Sequence, residues 1–295
     1  MSKKFLKYII VVSIIFFLIK SLYSNWNQLS TYNWKPNLLL LSLSFIFALI
    51  HLLAMAWCWR RILIKIGGSL SIRKGLQIYF SSQLGRYIPG KVWVVLGRVS
   101  SCNQEGISKI KTTASIVYEV VISIFAASLF FIMSIPFWEF NKISNKIGIY
   151  YIIIPFCLFI LIHPKIFNKG VNIVLKQLRK EPIKISMPYR DILEILLLDI
   201  IFWAFLGVAF YLFINSTYTL SINKAPIVAG IFSISWVIGF LSFLTPGGIG
   251  VREGVLTFLL SYQMPVAMAV FIAILSRVWL TIAELVCLGI THKFK

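Results

Sequence analysis

Unbroken apolar blocks separated by charged or turn-rich gaps cover residues 6–24, 38–58, 112–136, 147–163, 191–214, 225–245 and 265–291. Each is close to the length a helix needs to cross a bilayer, about 20 residues. Two further apolar stretches, 72–99 and 246–263, are interrupted by Pro-Gly. The breaks read Leu84-Gly85-Arg86-Tyr87-Ile88-Pro89-Gly90-Lys91 and Leu244-Thr245-Pro246-Gly247-Gly248-Ile249-Gly250-Val251-Arg252-Glu253. Such a break frees backbone amides and carbonyls that lipid cannot satisfy, so it persists only against protein, water or a bound polar group.

Within 72–87, Ile72, Leu76, Tyr79, Phe80 and Tyr87 share one helical face, with Arg73, Lys74, Gln77, Ser81 and Arg86 towards the other. This pattern predicts an interfacial helix. The apolar piece after Pro89-Gly90, Val92 to Leu96, is too short to cross alone, so 72–99 is expected to enter and leave on one side. Segment 246–263 is either a second re-entrant element or a short broken span. The alternatives give seven or eight crossings, and the charge rule favours eight, with Lys293 and Lys295 inside.

Composition turns this pattern into a class. With 59% hydrophobic and 13% charged residues and a mean hydropathy of +0.88, the chain lacks the polar surface to cover a soluble globule. The expected fold is an all-α polytopic membrane bundle of about seven or eight helices, one transmembrane domain over 1–295. The balance of 29 Lys+Arg against 9 Asp+Glu does not indicate nucleic acid, because the cations lie in gaps between apolar blocks and no soluble reading domain exists. They retain loops beside anionic lipid. The gaps around Arg60 to Lys74 and Lys165 to Arg190 are therefore expected to be cytoplasmic. Those at 25–36, 138–146 and 215–224 are expected outside, with Trp26, Trp34 and Trp138 as interfacial aromatics. The block after Lys3, Lys4 and Lys7 has no Ala-x-Ala cleavage pattern and reads as a signal anchor with a cytoplasmic N-terminus.

Cys58, Cys102, Cys157 and Cys287 are far apart, as are His51, His163 and His292. Neither set has metal-ligand spacing, so no metal or cofactor is expected. There is no Gly-x-x-x-x-Gly-Lys-Ser/Thr loop to point to ATP.

Charges inside the apolar blocks carry the functional signal, since an intramembrane charge is costly unless partnered. Glu119 lies seven residues into its block, and Arg277, Thr281 and Glu284 form one stripe at i, i+4, i+7 that must face protein or water. A purely structural role would pair Arg277 with Glu284 or Glu119. Glu119 follows Pro89 by 30 positions and Arg277 follows Pro246 by 31, a spacing that points to two related halves. Asp191 and Glu194 suit a helix N-terminus. Asp199 is left between interface and cavity.

The broken segments resemble the flippase-like transmembrane domain of bacterial lysylphosphatidylglycerol synthases, which also occurs as a free-standing membrane protein. The likeness rests on Gly85 to Trp93, on Thr245 to Gly254 and on Arg277. The chain departs at Val117-Tyr118-Glu119-Val120-Val121, which keeps the acid of a Glu-Arg pair without its basic neighbour. In that family the membrane domain is associated with moving a phospholipid between leaflets, and aminoacyl transfer belongs to a separate soluble domain. With the chain ending at Lys295 after its last helix, the resemblance implies translocation or lipid binding without synthesis, in a bacterial plasma (inner) membrane.

The expected site follows. Backbone amides after Pro246-Gly247-Gly248 begin a helix at Ile249 and attract phosphate, with Gly250 in the same turn and Arg252 adding charge-assisted bonds. Arg86, Lys91 and Arg98 form an opposing basic wall beside Pro89 and Gly90. Glu119, Glu253 and Glu284 balance the field or accept a cationic substituent, and Arg277 completes the set. The partner is a phospholipid with a phosphate head group, with a homo-oligomer or an envelope-biosynthesis enzyme as further partners. Two other classes stand beside this one: a membrane transferase acting on a lipid-linked sugar, and a non-transporting scaffold. Close helix packing is the rival role for the glycines.

Overall fold

The computed structural model describes residues 35–87, 92–138, 187–242 and 248–293, with a few single positions outside them. The spans expected over 6–24 and 147–163, and the site candidates Pro89, Gly90, Lys91, Pro246 and Gly247, lie outside the described residues.

The described chain is helical: α1 (Leu38–Lys65), α2 (Ile72–Gln83), α3 (Trp93–Gln104), α4 (Lys109–Ser134), α5 (Tyr189–Asn215), α6 (Ala225–Leu241), α7 (Val251–Leu260) and α8 (Val266–Lys293). Five segments, Leu38–Lys65, Lys109–Phe137, Tyr189–Asn215, Ile222–Leu241 and Val266–Lys293, are long and apolar enough to cross a membrane. They match the five predicted blocks that fall on described residues. Helix starts follow from local chemistry: the side chains of Asn37, Ser71 and Ser108 accept the amides of Leu40, Lys74 and Lys111, satisfying donors that a first turn leaves open.

α1 runs past the predicted end at residue 58 because its last two turns are polar and paired. Lys65 Nζ donates to Asp191 Oδ1 at 2.5 Å and to Glu194 Oε2 at 2.9 Å, and Arg61 bonds Glu194. Asp191 and Glu194 thus do more than cap α5: they bind its start to the end of α1. At the opposite end Asn37 N–H donates to the Ser216 carbonyl at 2.7 Å, so α1 and α5 are antiparallel. α6 stops at Leu241 rather than 245, with Ser242 extended, as expected ahead of the Thr245-Pro246 sequence.

α2 and α3 pack together as the two arms of a re-entrant hairpin. Lys74 near the start of α2 pairs with Glu105 just past α3 at 2.8 Å, and Lys111 at the start of α4 donates to the Gly67 carbonyl at 2.8 Å. The end of α1, both ends of the hairpin and the start of α4 therefore share one basic face. α2 does not lie loose at an interface. Tyr79 and Phe80 are buried while Ile72 is exposed, and Tyr79 packs on Trp59 of α1 at 6.0 Å between ring centroids.

α7 has ten residues, about 15 Å of helix and half a span. α8 returns to the basic face, since Gln77 Nε2 donates to the Thr291 carbonyl at 3.0 Å, and its middle packs Trp279 against Phe213 and Phe45. The short broken span is therefore the version that the fold adopts, with Lys293 on the side of Lys65 and Lys74. α4 leaves the basic face and α8 arrives at it, so the two helices that follow the breaks run in opposite directions.

Candidate functional site

A cavity of about 330 Å³ lies between α1, α4, α5, α6 and α8. Both broken segments complete its wall: Gln83, Arg86, Val94 and Arg98 beside the first break, Gly248 and Arg252 beside the second. The stripe Arg277, Thr281, Glu284 faces into it as well.

Glycines allow the breaks to close up. A Cβ on Gly85 would sit 2.7 Å from the backbone carbonyl carbon of Trp93, one on Gly239 would sit 2.7 Å from Arg252 Cβ, and one on Gly248 would sit 2.6 Å from the Gly239 carbonyl oxygen. Gly248 and Gly250 also hold φ of +70° and +85°, a left-handed backbone costly for any other residue. The packing role for these glycines and their place in the site are thus compatible.

Three ion pairs line the cavity. Arg98 Nη1 donates to Glu119 Oε2 at 2.5 Å, Arg86 Nη1 to Glu284 Oε1 at 2.5 Å, and Arg277 Nε to Glu253 Oε1 at 2.7 Å. Arg98 is 1% exposed. Its Nε also donates to Ser82 Oγ at 3.2 Å, and its guanidinium is held between the rings of Trp59 and Tyr79 at 4.6 and 4.3 Å. That is a charge matched on every side, not an open basic wall. The partnering expected between Arg277 and Glu284 or Glu119 is replaced by these pairs, because each short helix after a break approaches the next long helix side by side. Glu119, whose own stretch Val117 to Val121 has no basic residue, pairs with a base on α3.

The start of α7 differs from the expected phosphate cradle. The helix begins at Val251, not Ile249, and Glu253 Oε2 accepts the Gly250 N–H at 2.7 Å. The chain's own carboxylate sits at this N-terminus, bridging it to Arg277.

Arg252 is the exception among the cavity's cations. It is 8% exposed, its Nε and Nη2 are buried with no hydrogen-bond partner, and its guanidinium lies 4.8 Å from the centroid of the Phe232 ring. The ring supplies only part of what water would give a guanidinium. The remaining donors suit an anion, above all the tetrahedral oxygens of a phosphate.

A family model described as lysylphosphatidylglycerol synthase TM region matches residues 4–286. The chain belongs to this family. No curated protein and no solved structure matches it. The match spans both breaks and the last helix, so in this member of the lysylphosphatidylglycerol synthase TM region family the cavity sits wholly within the family's shared membrane region.

Of the residues expected from sequence, Arg86, Arg98, Glu119, Gly248, Arg252, Arg277 and Glu284 line this one cavity. Glu253 supports it through Arg277, and Gly250 through the α7 turn. His51, Ser123, Trp203 and Trp236 line it too and were not anticipated. Ser123 had a signal, lying one turn after Glu119 on the same face. His51 and the tryptophans look like packing residues in any apolar block.

Proposed function

We propose that this chain binds the phosphate-bearing head group of a membrane lipid in the cavity and moves that lipid between leaflets. The observation that carries this reading is Arg252, a buried guanidinium facing the cavity without an acidic partner among the described residues, while Arg86, Arg98 and Arg277 each have one. A phosphate seated against this guanidinium accepts charge-assisted hydrogen bonds from it and neutralises the charge. The head group then crosses the bilayer interior in a polar chamber instead of hydrocarbon.

The lipid tails have a matching route. Val94, Val95 and Arg98 of α3 face the cavity, while its Trp93 and Leu96 are exposed on the outer side. One short helix therefore separates the chamber from the surface that acyl chains cover. The basic face is assigned to the cytoplasm by the charge rule, in the bacterial plasma membrane, with the N-terminus on the same side.

The test is movement of a labelled phospholipid across vesicles holding the purified protein. Wild type moves it, and Arg252→Ala and Lys91→Ala abolish movement while leaving folded protein in the membrane. Full activity in both variants contradicts the phosphate assignment, and no movement by wild type leaves the scaffold reading in its place.

A further inference from the structure

Asp199 stands apart from the other acids of the membrane interior. It lies in the apolar middle of α5 and is 2% exposed. Its Oδ2 accepts the Ser123 hydroxyl at 2.7 Å, and its Oδ1 is buried with no hydrogen-bond partner. Glu119, Glu253 and Glu284 each hold an arginine, whereas Asp199 forms no ion pair among the described residues.

No cation pairs with it among the described residues: Arg98 and Arg61 are held by Glu119 and Glu194. α4 presents Glu119 and Ser123, a further negative charge and a hydroxyl. α1 presents Cys58 and His51; the His51 Nδ1–H donates to the Phe202 carbonyl at 2.8 Å, and the ring packs on Trp203 at 5.8 Å. α6 carries no charged residue between Ala225 and Leu241. One turn along α5 from Asp199, Trp203 is buried, lines the cavity and has an indole N–H with no hydrogen-bond partner. Ser123, His51 and Trp203 line the cavity, and Asp199 lies behind Ser123.

An ionised carboxylate held there bears an unsatisfied oxygen, no counter-charge and a like-charged neighbour, the combination that most disfavours its charge in a low-dielectric interior. We propose that Asp199 is the proton-exchange site of the cavity. The proton passes through Ser123, which lines the cavity: its hydroxyl proton moves to Asp199 Oδ2 as its oxygen takes a proton from cavity water, so the carboxyl goes from −1 to neutral, and the reverse transfer returns the proton to that water. Glu119 and Glu284, which also line the cavity, are already matched by Arg98 and Arg86. Binding of the proton stands on this geometry alone; its coupling to lipid movement rests on the reading under Proposed function.

The experiment is an infrared titration of the purified protein in lipid vesicles between about pH 4 and pH 9, followed through the C=O band of protonated carboxyl groups. The expected result is a band that disappears as pH rises and is missing from Asp199→Asn, kept in Glu284→Gln, and moved in midpoint by Ser123→Ala, which leaves the carboxyl in place. In vesicles with a pH gradient, Asp199→Asn loses the gradient dependence of lipid movement. A titrating band that persists unchanged in Asp199→Asn, or one indifferent to Ser123→Ala, overturns the proposal. If the band depends on Asp199 while wild type moves no lipid, the lipid reading fails and the proton site stands.

Discussion

Arg277 and Glu284, two turns apart on α8, do not pair with each other: Arg277 reaches Glu253 at 2.7 Å and Glu284 reaches Arg86 at 2.5 Å. The last helix thereby holds both broken segments, the first through the turn at Arg86 and the second through the start of α7. A single stripe on one rigid element fixes the two sides of the cavity relative to each other.

Removing that tie at one end separates stability from function. The side chains of Arg86 and Glu284 are 37% and 13% exposed, so Arg86 is not fully buried when its partner is lost and Glu284→Gln is expected to cost less than loss of an acid from a fully buried pair. Lipid movement in vesicles should nonetheless fall, because the turn beside Gly85 loses its anchor on α8. The pair of measurements is thermal unfolding in detergent and labelled-lipid movement; a large fall in Tm with unchanged movement would contradict this role.

The Arg98–Glu119 pair behaves in the opposite way. With side chains 2% and 10% exposed, removal of Glu119 leaves a buried guanidinium uncompensated, and Glu119→Ala should cost about 3–5 kcal/mol. The double change Arg98→Met with Glu119→Leu should recover much of that loss, because neither charge then remains. Denaturant unfolding of the single and double variants decides it, and equal destabilisation of the two would show that the pair is not what Glu119 contributes.

The five described spans and the hairpin over 72–99 were legible because apolar block length and the Pro-Gly interruption are local properties of the chain. So was the exposure of Arg277, Thr281 and Glu284 to one cavity, which follows from helical spacing alone. Pairing was not legible. Arg86 and Glu284 meet across almost the whole chain, and Arg98 reaches Glu119 only because the hairpin returns α3 to the face where α4 begins. After each break a short helix carries a charge that pairs with the opposite charge on the next long helix, Arg98 with Glu119 and Glu253 with Arg277, with the signs exchanged. Asp199 stayed ambiguous because its significance lies in what does not approach it, which no pattern along the chain records.

Gly248 tests the geometry of the second break. It holds φ of +70°, and a Cβ there would lie 2.6 Å from the Gly239 carbonyl oxygen. Gly248→Ala therefore adds about 1–2 kcal/mol of left-handed backbone strain to a clash with backbone that cannot yield as a flexible side chain would. The expected result is a lower Tm together with loss of lipid movement, since the shift displaces Arg252. A variant with wild-type Tm and movement would show that α6 and α7 are free to separate.

Arg252→Ala should leave stability near wild type or raise it, because the change removes a buried charge without orphaning an acid. Lipid bound by the protein reads the central claim most directly. Mass spectrometry of lipid retained through purification is predicted to find a phosphate-bearing lipid on wild type and at least about tenfold less on Arg252→Ala, a loss of about 1.4 kcal/mol or more in binding. Equal retention of the same lipid by both proteins would contradict a head-group site at Arg252.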